Sequence, residues 1–436
     1  SHRSTLRREA ALPPSPTPFV GRETELAELA ELLANPDCRL VTLVGPGGIG
    51  KTRLALEAVA AQVGNFRDGV AFVPLTTVRS PDLLVSAIAE ALRFSFHDQG
   101  DPEQQLLSYL REKELLLGLD GMEHMLEGTR LLAKILRQAH GVILLVTSRE
   151  RLNLREEWVR SIQGLTYPRQ KEIAGRPPGG GMDEAAAEAV KLSAAYSAVA
   201  LFQQHARRGD HHFSLSSGVA SDVVRICQLV EGLPLGVELA AAWAGTRSCG
   251  EIAEEIERNL DILSTSIRNV PDRQRSIRAT FEHSWQLLSQ PEKDLLARLS
   301  VFRGGFHAEA ALRVSNVSRP TLLALVDKSL ITHRAPGRYD MHGLLTQFAA
   351  EKLRADGRES DETEMSYARY FADFLERYGG PLRTAKDREA FRAVAVESEN
   401  VRRAWQLAVA RDCAELVEQG LESLYIFYDV QCRFQE

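Results

Sequence analysis

The stretch "VTLVGPGGIGKTRLALEAV", Val41 to Val59, decides the fold. An apolar run that reads as a strand breaks into four glycines and a proline, and Lys51 and Thr52 then open a stretch with helical patterning. Within it "GPGGIGKT", Gly45 to Thr52, fits G-x-x-x-x-G-K-[ST] in full, with a strand before and a helix after. Gly45, Gly47, Gly48 and Gly50 let successive backbone N–H groups, that of Ile49 among them, turn inward around anionic oxygens where a Cβ would collide. The helix beginning near Gly50 aims its positive end, about half a charge, at those oxygens. Lys51 adds a full charge for β- and γ-phosphates, Thr52 offers a hydroxyl to Mg²⁺, and Arg53, next in the helix, is expected to contact the nucleotide as well. A glycine-rich turn with a chance lysine is the bland alternative, and the flanking elements argue against it.

A phosphate cradle needs an acid at the end of a second buried strand. "ELLLGLDGMEH" supplies Asp120, which can hold the water shell of Mg²⁺. Glu123 and His124 follow and read first as a surface loop, with polarisation of a water by either as the alternative. "LLVTSR" ends another strand at Arg149, in a position to report a γ-phosphate. "GVAFVPL" near Val70 and a weaker "EWVRSI" near Val159 complete the strand-like runs. Helix-patterned stretches alternate with all of them, which predicts a parallel sheet covered on both faces.

The chain has 436 residues, 44% hydrophobic, with net charge −6. That length predicts two to four domains, and that charge gives no global pull toward nucleic acid or an anionic membrane. Five cysteines (Cys38, Cys227, Cys249, Cys413, Cys432) stand far apart without zinc spacing, and read as reduced thiols of a cytoplasmic protein. No apolar run approaches the ~18–20 residues of a membrane span, and no signal peptide is visible. His211-His212 has no spaced ligand partners. The chain starts at Ser1, not Met, and ends in a helix-like stretch whose aromatics want a neighbour, so it reads as part of a longer protein.

The expected fold is an α/β P-loop NTPase followed by a helical domain, a winged helix and the start of an α-helical repeat region. Residues 1–18 read as a basic, then proline-rich linker. Residues 19–165 form the nucleotide-binding domain, and 166–270 a helical lid that begins with the flexible "GRPPGGGMDEA". In 271–357, "ATFEHSWQLLS" places Phe281, Ser284, Trp285 and Leu288 on one helical face; two more helices follow, then "ITHRAPGRYDMH", a hairpin turning at Pro336-Gly337. Residues 358–436 are helical throughout, with Tyr367, Tyr370, Phe371 and Phe374 at i, i+3, i+4, i+7.

Taken in order, "FVGRE" (Phe19–Glu23), "GPGGIGKT", "LLLGLDGMEH", "LLVTSR", "EGLPLGVELAAAW" (Glu231–Trp243) and "YDMHGLLTQFA" (Tyr339–Ala349) resemble the STAND signalling ATPases. The match is to the NB-ARC (AP-ATPase) core of bacterial regulators with tetratricopeptide-type sensors. The resemblance implies that Val20 and Arg22 approach adenine and ribose, that Pro234 caps the base from the lid, and that His342 reaches the β-phosphate of ADP. It implies a closed ADP-bound monomer that takes up ATP with Mg²⁺, opens, self-associates and activates an effector once its C-terminal helices sense an unknown inducer. Two departures bear on this. Gly121 stands where the family often has an acid or amide, which predicts slow hydrolysis, and Gly343 replaces the acid after Met341-His342.

Two other functions compete. A fast remodelling ATPase needs a water-positioning acid that Gly121 does not supply. A DNA-binding regulator would read through "RPTLLALVDKSL", but Arg319 and Lys328 are its only basic residues. His333, Arg334 and Arg338 form a modest, solvent-facing basic cluster on the wing, so direct DNA binding is not expected.

Overall fold

The structure is a computed structural model that describes residues 12–13, 17–75, 78, 80–97, 100–168, 191–215, 217–265, 271–334, 337–383 and 388–431. Most of the predicted linker, the "GRPPGGGMDEA" segment, Pro336 and Cys432 lie outside the described residues. The chain divides into two compact units, Ser1–Thr280 and Phe281–Glu436.

The first unit is built on five parallel strands: β1 (Leu40–Val44), β2 (Val70–Pro74), β3 (Leu115–Asp120), β4 (Val142–Ser148) and β5 (Glu157–Ser161), in the spatial order β2-β3-β4-β1-β5. All the strand-like runs of the sequence are therefore strands, including the weak one at Val159. The order itself was not predicted. β4 lies between β1 and β3, so register sets Ser148 beside Val44 and Thr147 beside Asp120. The end of β4 is thereby placed between the glycine loop and the acid.

Strand periodicity sorts the side chains to two faces. Leu115, Leu117 and Leu119 of β3 join Val142, Leu144 and Val146 of β4 in one buried cluster. That cluster is closed by helices α3 (Leu84–Ala91), α4 (Pro102–Leu110) and α5 (Thr129–Gln138). On the opposite face lies α2 (Lys51–Ala61), preceded in the chain by α1 (Glu23–Ala34). Leu54, Ala55, Ala58 and Val59 of α2 are buried. A Cβ at Gly118 would stand 3.1 Å from Val59 Cγ2, so the sheet accepts α2 closely there.

After β5 the regular elements of this unit among the described residues are helices, including α6 (Ser197–Gly209), α7 (Ser217–Leu229), α8 (Pro234–Ala241) and α9 (Cys249–Arg258), before α10 (Ile277–Gln286), within which the two units divide. Pro234 occupies the first turn of α8, where its missing N–H costs nothing. Ser248 and Glu251 close a capping box at the start of α9.

The second unit begins with α11 (Gln290–Leu299), β6 (Phe306–His307), α12 (Ala308–Ser315), α13 (Arg319–Asp327), β7 (Thr332–Arg334) and β8 (Arg338–Asp340), the strands forming an antiparallel sheet β6-β8-β7. α14 (Gly343–Ala355), α15 (Gly357–Arg383), α16 (Arg388–Val396), α17 (Ser398–Ala410) and α18 (Ala414–Gln431) follow. The predicted stripe of α15 is core: Tyr367, Tyr370, Phe371 and Phe374 are all buried.

A buried polar cluster joins the small sheet to the helices behind it. Asn400, fully buried, donates to Gly305 O (2.9 Å) and to Glu397 Oε2 (2.6 Å), and its Oδ1 accepts from Arg303 N at 2.7 Å and from Tyr367 OH at 3.0 Å. Arg338 pairs with Glu397 and donates to Gly304 O at 2.8 Å. This corrects one expectation: Arg338 is not solvent-facing, because a carboxylate 59 residues along the chain draws it in.

Candidate nucleotide-binding site

The glycine loop sits at the C-terminal end of β1, the end where open parallel sheets bind ligands. Gly48 and Gly50 have φ of +81° and +90°, a backbone region that disfavours any side chain. A Cβ at Gly47 would lie 2.5 Å from Thr280 Cγ2, and one at Gly48 would lie 3.0 Å from Leu235 Cβ. The loop is thus lined by backbone and hemmed in by neighbours.

Around it the structure brings together Lys51, Thr52, Asp120, Thr147 and Arg149. Thr52 Oγ1 and Thr147 Oγ1 both donate to Asp120 Oδ1, at 2.7 and 2.6 Å. Gly121 N donates to Thr147 Oγ1 at 2.9 Å, which fixes the hydroxyl that fixes the acid. Asp120 is 4% exposed, and burial pushes its carboxyl up, against the pull of the Thr147 and Thr52 hydroxyls. Lys51 Nζ donates to Gly45 O at 2.7 Å and to Pro46 O at 3.1 Å. Arg149 Nε stands 3.3 Å from Glu123 Oε1, with both side chains buried. A Cβ at Gly47 would lie 3.4 Å from Arg149 Nη2, so this guanidinium spans from the loop to Glu123.

Glu123 is the residue that sequence reasoning undervalued. A surface loop was the first expectation, yet its side chain is only 7% exposed. The short 3₁₀ turn Met122–His124, entered through Gly121 at φ +90°, folds it back beside the strand ends. Burial pushes its carboxyl up, but Lys51 and Arg149 outweigh burial and hold it below the usual carboxylate range. Its Oε2 is buried and has no hydrogen-bond partner among the described residues. An orphaned buried acceptor costs about 1–3 kcal/mol. The signal available in sequence was the i+3 spacing from Asp120, which one 3₁₀ turn converts into proximity.

These residues fit a Mg²⁺-nucleotide. The cradle is one that side chains would fill, and the Lys51 ammonium rests on neutral carbonyls that an anionic phosphate would outcompete. Asp120, crowded by burial, would gain a counter-charge from a divalent cation. Lys51 and the loop N–H groups would hold phosphates; Thr52 and Asp120 would hold the cation. Among the described residues no group of three or more His, Cys, Asp or Glu is placed to hold a metal by itself, and the His211-His212 pair belongs to none.

The remaining predicted residues fall in three places. Val20 and Arg22 line a cavity of about 270 Å³ with Gly164, Leu165, Thr166, Ser193 and Ser197. Arg22, left-handed at φ +69°, donates from Nη2 to Ile49 O (2.9 Å) and Gln163 O (2.8 Å), tying that cavity to the glycine loop. Arg53 turns away from the loop, donating to Thr17 O and Pro18 O at 2.7 and 2.9 Å and lying 3.6 Å from Glu238 of α8. Pro234 stands over the loop: a Cβ at Gly50 would be 3.7 Å from its Cγ, and Leu235 N donates to Gly48 O at 3.2 Å. The same segment is sewn to the exit of β5, where Leu165 N donates to Gly232 O at 2.8 Å. His342 belongs to the second unit, where it caps α14 and its Nδ1 accepts from Leu344 N at 3.2 Å.

Residues 18–152 match the AAA ATPase domain family. The chain is 31% identical over 366 residues to the uncharacterized protein Rv0894 of Mycobacterium tuberculosis, covering 81% of this chain and 85% of that one. It is 30% identical over 381 residues to Rv0890c of the same organism, provisionally named an HTH-type transcriptional regulator. That alignment covers 84% of this chain and 39% of the relative. Among solved structures, the STAND protein with a tetratricopeptide repeat sensor PH0952 from Pyrococcus horikoshii covers 95% of this chain and 59% of its own, at 18% identity and TM-score 0.30. No helix among the described residues is long and apolar enough to cross a membrane.

Proposed function

The chain belongs to the same family as Rv0894 and carries an AAA ATPase domain at residues 18–152, and from that premise we propose that it is a nucleotide-operated signalling switch of the STAND class with an NB-ARC core. In this reading residues 19–165 bind nucleotide, 166–270 form the lid, 271–357 are a winged helix, and 358–436 begin a tetratricopeptide-like sensor. ADP holds these pieces closed. An inducer sensed by the helical region loosens them, ATP with Mg²⁺ replaces ADP, and the opened chain self-associates in the cytoplasm to activate an effector that controls transcription. Hydrolysis is slow and resets the switch.

One observation favours the switch over a fast remodelling ATPase: the lid's Leu235 N donates to Gly48 O of the phosphate loop. Gly48 is a residue that phosphates would press against, so occupancy of the loop and placement of the lid share one hydrogen bond. Nucleotide held at ~100 times its Kd favours the state it prefers by about 2.7 kcal/mol, enough to bias two arrangements a few kcal/mol apart.

DNA reading by the second unit is not part of this proposal. Lys328 pairs with Glu292 at 2.9 Å, Arg334 with Asp340 at 2.8 Å, and Arg338 with Glu397. Leu322 and Leu325 of α13 are fully buried. These cations are matched to carboxylates of the same unit, which leaves little charge for a phosphate backbone.

His342→Ala tests the lock. Loss of a hydrogen bond to a charged phosphate, worth about 1.5–3 kcal/mol, should speed release of a fluorescent ADP analogue by about tenfold or more. Loss of the cap on α14 should cost only about 0.5–2 kcal/mol of stability, so the variant still folds. Release at the wild-type rate removes His342 from the lock.

A further inference from the structure

We propose that Glu123 is the residue that takes the proton from the attacking water during nucleotide hydrolysis, and that Arg149 is its positioning residue. This deepens the switch reading and rests on it.

Hydrolysis of a phosphoanhydride needs an acceptor for one proton of water, placed near the phosphate-binding loop. Asp120 is engaged by two hydroxyls through Oδ1 and is the residue suited to the cation. Gly121, next to it, has no side chain. Glu123 is the carboxylate that the 3₁₀ turn Met122–His124 brings back to the cluster. One of its oxygens is spoken for: Oε1 stands 3.3 Å from Arg149 Nε. The other, Oε2, is a buried acceptor without a donor among the described residues. A carboxylate held by one oxygen and unsatisfied at the other is the arrangement a water O–H completes.

Arg149 holds this geometry from the strand between the loop and the acid. β4 ends at Ser148, so its next residue reaches Gly47 on one side and Glu123 on the other. In the step itself the water oxygen bonds to the γ-phosphorus, the bond from that phosphorus to the β,γ-bridging oxygen breaks, and the bond's electron pair stays on ADP. The water proton passes to Glu123 Oε2 and from there to phosphate or solvent. The products are ADP and inorganic phosphate. The guanidinium faces both the carboxylate and the loop, so a γ-phosphate competes with Glu123 for the same cation. Hydrolysis is slow in this scheme because productive geometry requires Arg149 to serve both.

The test compares wild type, Glu123→Gln and Arg149→Lys in the full chain. Each is loaded with ATP and Mg²⁺, desalted and incubated, and its bound nucleotides are released by denaturation and separated by chromatography. Affinity for ADP is measured in parallel by titration with a fluorescent analogue. Glu123→Gln keeps the size and can still accept from Arg149, so ADP affinity should stay within about threefold of wild type. Its bound ATP should persist about 100-fold longer, the lower end of a general base's contribution. Arg149→Lys should retain ATP to an intermediate degree. Thermal melting without nucleotide, run on both single variants and the double, should show non-additive shifts that report the Glu123–Arg149 contact itself. Conversion of bound ATP by Glu123→Gln at the wild-type rate overturns the assignment, and so does a wild type that keeps its ATP intact. A protein that binds no nucleotide at all would instead strike the switch reading on which this rests.

Discussion

Lys51→Ala is expected to lower affinity for ADP and ATP by about two orders of magnitude or more while leaving the fold intact. In the structure the ammonium is held by two carbonyls of its own loop, Gly45 O and Pro46 O, and its charge also helps keep Glu123 ionised. Those bonds add little to stability, since neutral carbonyls are modest partners. Against a phosphate the same group makes charge-assisted bonds in a site partly closed to water, and truncating one side of such a pair costs about 2–5 kcal/mol. The variant should melt within a few degrees of wild type when neither holds nucleotide, and isothermal titration should show the lost affinity. Wild-type affinity in Lys51→Ala would mean that nucleotide binds somewhere other than this loop.

Gly232→Ala is expected to be the most damaging glycine-to-alanine change among the described residues of the first unit. Gly232 has φ +65°, and a Cβ there would stand 2.1 Å from Leu165 O, a backbone atom that cannot swing aside. The left-handed backbone alone costs an L-residue about 1–2 kcal/mol, and overpacking adds about 1–3 kcal/mol. Gly64→Ala separates the two effects: φ is +96° there, but nothing lies within 4 Å of the added atom. Urea unfolding should place Gly64→Ala near the first figure alone and Gly232→Ala at the sum. The consequence reaches function, because the segment that Gly232 sews to Leu165 continues into Pro234 and Leu235 over the phosphate loop. Equal losses in the two variants would mean the close approach at Gly232 carries no weight.

What the sequence revealed and what it hid divide along the range of the interactions. Gly45–Thr52 was legible because the chemistry of a phosphate cradle is written in consecutive residues. Asp120 and Arg149 were legible as residues at or just past strand ends, since apolar runs mark buried strands and the polar residues that close them mark the exit. The stripe of Tyr367, Tyr370, Phe371 and Phe374 was legible from helical period alone. Strand order was not, because nothing local says that β4 inserts between β1 and β3; that placement is what sets Thr147 on Asp120. Glu123 was hidden because burial of a polar turn depends on Lys51 and Arg149 arriving from other parts of the chain to hold the charge. Arg338 was misjudged for the same reason: its partner Glu397 lies on the far side of α15 in sequence.

The account stands on a purine diphosphate held in the resting chain. The most direct measurement is to purify the protein without added nucleotide, desalt it, denature it and quantify what is released by chromatography. The switch reading predicts close to one equivalent of ADP per chain and none from Lys51→Ala. An empty wild-type protein, or one releasing nucleotide equally with and without Lys51, would contradict it.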